Sequence, residues 1–211
     1  MLTVLIDYES GNLHSAEKAF QRMAREVGGG EVLVSDRAED VRRADRIVLP
    51  GDGAFPACAR ALKGRENLFD ALREMVEKKA RPFLGICVGM QLLATRGLED
   101  GVTAGLGWIE GDVDRIAPGG GLKVPHMGWN SLKTAREHAI LDGLGEDPHV
   151  YFTHSYAFEP AHSQDGIATT GYGTDIVSIV GRDNLIATQF HPEKSQRVGL
   201  KILSNFLDWT P

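Results

Sequence analysis

The sequence predicts an α/β fold: a single-domain open mixed sheet, parallel in its N-terminal part, with antiparallel additions in its C-terminal part. Three observations predict it. Apolar runs and helical patterns alternate from Thr3 onward in the order β-α-β-α-β, which calls for parallel strands with helices on both sheet faces. A glycine-flanked cysteine, Gly85-Ile86-Cys87-Val88-Gly89, then stands between a buried run and a helical one, the strand–nucleophile–helix order of an elbow. Beyond it the apolar runs shorten and the turns between them are tight, which favours antiparallel neighbours.

Taken in order, residues 3–7 are a first buried strand. Asn12 is placed to cap the next helix, where Leu13, Ala16, Phe20, Met23 and Val27 recur at helical spacing until Gly28-Gly29-Gly30 stops them. A second strand is expected over 31–35, a short helix over 38–43 and a third strand over 46–49. Pro50-Gly51-Asp52-Gly53-Ala54-Phe55 leaves that strand, its two glycines able to admit a ligand or a peptide flip, or to serve an ordinary turn. A helix over 67–78 turns Leu68, Leu72, Met75 and Val76 inward. Arg81-Pro82-Phe83-Leu84 leads into the elbow, and a helix follows through Leu92, Leu93 and Ala94. Strands are then expected over 111–116, 122–132, 149–158, 166–172, 176–181 and 185–190. Arg182-Asp183-Asn184 is a hairpin turn, and a final helix covers 195–209, burying Val198, Ile202, Leu203 and Phe206.

The chain of 211 residues is long enough for one full core, and no composition shift marks a boundary, so 1–211 is expected to be one domain. A net charge of −6 argues against nucleic acid as a general partner. The start lacks a basic segment and a long apolar run, and no stretch approaches a membrane span, so no membrane association and a cytoplasmic location are expected. Cys58 and Cys87 suit a reducing compartment, and no metal spacing is present, so no metal and no cofactor are expected.

The chemistry gathers at two places. A thiol lifted out of the sheet over a helix N-terminus is favoured as a thiolate; the same stretch would also suit a buried structural cysteine. Gln189-Phe190-His191-Pro192-Glu193-Lys194-Ser195 closes the last strand. In extended backbone His191 and Glu193 would face one way. Histidine can act as base and acid for a thiol, and a carboxylate can hold its tautomer. Cys87, His191 and Glu193 are therefore the candidate catalytic set.

The elbow and the His-Pro-Glu terminus together resemble the class I (triad) glutamine amidotransferases, over essentially the whole chain. Within that class the chain is most similar to the glutaminase subunits of imidazole glycerol phosphate synthase. The stretches Asp7-Tyr8-Glu9-Ser10-Gly11-Asn12-Leu13, Pro50-Gly51-Asp52-Gly53-Ala54-Phe55, Lys123-Val124-Pro125-His126-Met127-Gly128-Trp129-Asn130 and His191-Pro192-Glu193-Lys194-Ser195 carry that likeness. Glu9 stands where the family usually has glycine, and His14 where it often has arginine.

The resemblance implies a flavodoxin-like amidotransferase fold and hydrolysis of L-glutamine. Cys87 would attack the carboxamide, His191 would protonate ammonia and Glu193 would orient His191. Gly51, Asp52, Gly53 and Val88 would supply the oxyanion donors. Gln91 and the Thr153-His154-Ser155-Tyr156 segment would hold the substrate. It also implies a (β/α)8-barrel cyclase partner in a heterodimer, receiving ammonia to make imidazole glycerol phosphate and an aminoimidazole carboxamide ribotide. Asn12, Met127, Trp129, Asn130, Tyr151 and Lys194 would form the interface and channel. Activity is expected to be low without that partner. Three rivals stand beside this: the glutaminase of another synthase, such as pyridoxal phosphate synthase; a cysteine hydrolase acting alone; and a binding protein that kept the fold.

Overall fold

The computed structural model describes residues 1–9 and 13–211. In chain order the strands are β1 Leu2–Ile6, β2 Glu31–Ser35, β3 Arg46–Gly51, β4 Phe83–Cys87, β5 Arg96–Gly97, β6 Thr103–Ala104, β7 Gly111–Arg115, β8 His126–Ser131, β9 Lys133–Thr134, β10 His149–His154, β11 Tyr156–Pro160, β12 Gly166–Tyr172, β13 Thr174–Arg182 and β14 Leu185–Thr188. The helices are α1 Leu13–Val27, α2 Ala38–Arg43, α3 Phe55–Gly64, α4 Glu66–Arg73, α5 Val88–Gln91 and α6 Gln196–Asp208.

Among the described residues the main sheet has the order β2-β1-β3-β4-β14-β13-β12-β9. Its first five strands pair in parallel. The remaining three are joined antiparallel. Strands β3 and β4 are buried along their whole length, as strands covered on both faces must be. On one side α1 and α6 pack together, with Phe20 and Phe206 meeting edge to face at 6.3 Å. A two-stranded ribbon, β10-β8, and a smaller sheet, β11-β7-β5-β6, complete the fold. The strand order reverses between β1 and β3, so the loops leaving their carboxyl ends open a crevice, the usual place for a ligand in such sheets. No helix among the described residues is long and apolar enough to cross a membrane.

Several elements differ from the sequence expectation. Helix α3 was not expected; its buried side chains include Phe55, Cys58, Ala59 and Leu62, but the intervening small residues blur the helical contrast. The helix expected over 67–78 is α4 followed by a single π turn, Glu74–Lys78. The segment expected as one strand over 149–158 breaks at Ser155, because β10 pairs with β8 and β11 with β7. The segment expected over 122–132 is a strand only from His126.

The helix after the elbow is one turn long, not the longer helix expected. The carbonyls that would continue it are taken elsewhere. Leu92 O accepts from Leu106 N at 2.7 Å, Leu93 O from Trp108 N at 2.9 Å and Ala94 O from Gly107 N at 3.0 Å. A single turn offers free N–H groups but little summed dipole, so the dipole part of the thiolate argument loses most of its force. The expected cap, Asn12, lies outside the described residues.

Candidate active site

Strand β3 delivers Gly51 and β4 delivers Cys87 to the same level of the sheet, where the two are register partners. Cys87 has φ 56° and ψ −112°, a strained conformation for a residue with a side chain. The cysteine itself therefore carries the reversal. Its flanking glycines serve close approach rather than the reversal itself. A Cβ on Gly89 would lie 1.9 Å from the carbonyl oxygen of Leu49, and one on Gly85 would lie 2.6 Å from that of Gly89. Gly89 lets the elbow press directly on β3, and Gly85 lets the turn close back over β4. Gly51 acts likewise, since its Cβ would stand 2.7 Å from Gly89 N. Gly53, by contrast, sits at φ 114°, a conformation that glycine alone adopts readily.

His191 and Glu193 are brought together, though not in extended backbone as expected. Pro192–Lys194 forms a 3-10 turn, which swings the carboxylate round so that His191 Nδ1 and Glu193 Oε1 lie 2.8 Å apart. Both side chains are almost wholly buried. The far ring nitrogen, Nε2, is buried and without a hydrogen-bond partner among the described residues. Burial disfavours the imidazolium, but the Cys87 thiol and the Glu193 carboxylate outweigh it and push the His191 pKa up to about 10. The ring thus holds its proton at neutral pH beside the sulfur.

In front of Cys87 lies a cleft of about 260 Å3, lined by Asp52, Gly53, Val88, Gln91, Glu99 and the Thr153–Tyr156 segment among others. That is close to the lower end of small-molecule sites, about 300–1,000 Å3. The candidate substrate residues Gln91, Thr153, His154, Ser155 and Tyr156 all line it. Gly51 does not; it is buried beneath the loop. The carbonyl of Asp52 accepts from the Cys58 thiol at 3.7 Å. In a trans peptide the Gly53 N–H then points the opposite way.

Sequence reasoning missed three residues here. Glu99 lines the cleft, and its Oε2 accepts from Phe55 N, the first N–H of α3, at 2.7 Å. Nothing in the sequence separates it from a surface acid. Gln189 is fully buried; its Nε2 points at Cys87 Sγ at 3.8 Å and its Oε1 accepts from Gln91 Nε2 at 3.1 Å. Ser195 accepts from Tyr151 N and donates to His191 O, tying the His191 turn to β10. The last two stand inside a stretch that sequence reasoning singled out, where only the histidine and the carboxylate suggested chemistry.

Three of the candidate interface residues, Met127 and Trp129 on β8 and Tyr151 on β10, share a face. Met127 and Trp129 are 63% and 48% exposed, large apolar groups left in water beside the cleft. Trp129 meets Tyr151 edge to face across the ribbon at 5.9 Å. Asn130 turns partly inward and donates to Gly171 O. Lys194 ends the turn that follows His191.

A family model described as glutamine amidotransferase class-I matches residues 4–209. The chain is 63% identical over 212 residues to the imidazole glycerol phosphate synthase subunit HisH of Cereibacter sphaeroides, and the match covers 100% of both chains. It is 60% identical to the subunit of the same name from Ruegeria pomeroyi, again over 100% of both. A solved structure described as a glutamine amidotransferase covers 95% of this chain and 98% of its own, with a TM-score of 0.69 at 21% identity, a likeness of fold. The chain therefore belongs to the class-I glutamine amidotransferases and, within them, to the family of imidazole glycerol phosphate synthase subunit HisH.

Proposed function

We propose that the chain hydrolyses L-glutamine to glutamate and ammonia, and passes the ammonia to a (β/α)8-barrel cyclase that forms imidazole glycerol phosphate and an aminoimidazole carboxamide ribotide in histidine biosynthesis. The observation that carries the catalytic part is a strained cysteine facing a buried imidazole whose other nitrogen is held by a carboxylate at 2.8 Å. The family membership supports the rest.

In this reading the glutamine side chain enters the cleft and Cys87 Sγ attacks the carboxamide carbon. Negative charge collects on the carboxamide oxygen, where the backbone N–H groups of Val88 and Gly53 would receive it. His191 gives its proton to the departing nitrogen, ammonia leaves and a thioester remains. Water then loses a proton to His191 and attacks the thioester; Cys87 is released with glutamate. Glu193 holds the ring in place through both halves. Glu99 is fixed by its bond to the start of α3 and faces the same space, so it suits the α-ammonium of the substrate. Gln91 and the Thr153–Tyr156 segment form the remaining wall.

Ammonia is protonated in water at neutral pH, so transfer to a second site needs a covered route. The exposed Met127 and Trp129, with Tyr151 and Lys194 beside them, suit the docking face at which such a route would begin. The test is synthesis by the reconstituted pair from glutamine and, separately, from ammonium salt. Cys87→Ala should abolish the first and spare the second. Retention of glutamine-dependent synthesis would refute the assignment.

A further inference from the structure

A continuous hydrogen-bonded chain runs from the outer ribbon to the sulfur, and its middle is two histidines that take no part in the proton transfers. His126 and His154 are 3% and 6% exposed. They are register partners on β8 and β10, with His126 Nδ1 and His154 Nε2 2.9 Å apart. Acceptors at the inner end set the direction. His154 Nδ1 faces the carbonyl of Tyr156 at 2.9 Å; a carbonyl only accepts, so Nδ1 carries the hydrogen. His154 Nε2 is then a lone pair, and His126 Nδ1 must donate to it. His126 Nε2 is a lone pair in turn, and Asn130 Nδ2 donates to it at 3.2 Å. The second hydrogen of Asn130 Nδ2 goes to Gly171 O, and Asn130 Oδ1 accepts from Ser131 N. Every member is satisfied, and both rings are neutral in the Nδ1–H form.

The chain does not end at Tyr156. The same carbonyl accepts from Gln91 Nε2 at 2.9 Å. Gln91 Nε2 also donates to Gln189 Oε1, and Gln189 Nε2 points at Cys87 Sγ. His126 is clamped besides, stacked at 4.6 Å on Phe152 and at 4.0 Å on Tyr172. A ring held on both faces and at both nitrogens moves only with its strand. That strand bears Met127 and Trp129 on its exposed face.

We infer that His126 and His154 form a positioning relay, coupling the position of strand β8 to the Gln91 carboxamide and the cleft wall at Thr153–Tyr156, so that docking on the Met127–Trp129 face retunes glutamine turnover. This deepens the function proposed above and rests on it. The hydrogen bonds are directional and fully satisfied, so a shift at Asn130 either moves both rings together or leaves a buried group unbonded. The two rings thus form a packed, hydrogen-bonded path of the kind along which one site can bias another.

The test uses the native chain, His126→Phe, Asn130→Ala and the double variant, each at saturating cyclase, so that docking affinity and coupling separate. Phenylalanine keeps the stack on Phe152 and Tyr172 and removes both nitrogens. For His126→Phe we expect glutamine turnover without cyclase to change little. Stimulation by cyclase should fall about tenfold, within the usual range of coupling between sites. The double variant should lose no more than His126→Phe alone, as links of one chain do. Stimulation equal to native, or losses that multiply in the double variant, overturns the relay. A native pair that forms no product from glutamine would instead bring down the functional assignment, and one that turns over glutamine without stimulation overturns the relay, so the two failures are distinct. Should His126→Phe not fold, nitrogen NMR of the native chain decides. Two neutral Nδ1–H rings whose signals move on adding cyclase support the relay; other tautomers, or signals that stay put, overturn it.

Discussion

At the residue scale the chemistry rests on a few side chains held against their own preferences. Cys87 keeps a positive φ that costs roughly 1–3 kcal/mol, and two parallel strands hold it there. Cys87→Ala keeps the Cβ and so the strain, and it loses the thiol that helps hold the His191 proton, so it should still fold, somewhat less stably near neutral pH, while glutamine hydrolysis falls by several orders of magnitude; a glutamate-release assay beside a urea melt measures both. Glu99→Gln should raise KM for glutamine about 10-fold or more with a smaller change in kcat, as expected when a charged contact common to ground and transition states is removed. An unchanged KM in steady-state kinetics would remove Glu99 from the substrate site. Glu9 occupies the position where the family usually has glycine, and its φ of 65° gives glycine a reason to be there. The Glu9 carboxylate lies 2.8 Å from Arg65. Glu9→Gly trades this exposed ion pair for relief of strain, and the net change should stay within about 1 kcal/mol, read from chemical denaturation.

At the element scale the elbow works because backbone meets backbone. With a Cβ on Gly89 only 1.9 Å from Leu49 O, Gly89→Ala must push the elbow off β3. A loss of about 2–4 kcal/mol is expected, at the upper end for a forced insertion into packed structure, with glutamine turnover lost as Val88 N–H and Cys87 move. Denaturation midpoints near native would show that the elbow yields more easily. The ribbon β10-β8 matters as much as the main sheet, since it carries the exposed aromatic face and the two buried histidines on alternate residues.

At the scale of the whole molecule, pH should act on stability in two opposed ways. Burial holds the His126 and His154 pKa values down to about 4, against about 6.5 in an unfolded chain. Between those values the unfolded chain binds more protons, so stability falls as pH drops through that window, by up to about 1.4 kcal/mol per unit for each ring. His191 runs the other way. Its pKa is raised to about 10, so its contribution is complete below about 6.5 and fades as pH climbs toward 10. Urea midpoints measured from pH 4 to 10 should peak near neutrality, and Cys87→Ala should flatten the alkaline side, since the thiol helps hold that proton. A profile flat from pH 4 to 7 would mean that the two histidines are not held neutral.

Much of this was legible in the chain itself. Alternating buried runs and amphipathic helices marked the parallel half of the sheet, because strands covered on both faces and helices covered on one leave different periods. The glycines around Cys87 and the His191-Pro192-Glu193 terminus marked both parts of the site by residue type alone. Tertiary structure decided what depends on partners distant in sequence: the one-turn α5, cut short by the amides of Leu106 to Trp108; the break at Ser155; Glu99 in the cleft; and the path from Asn130 through two histidines to Gln91. Local pattern reports which face of an element is covered. Which carbonyl or carboxylate meets which donor is settled only when the elements pack.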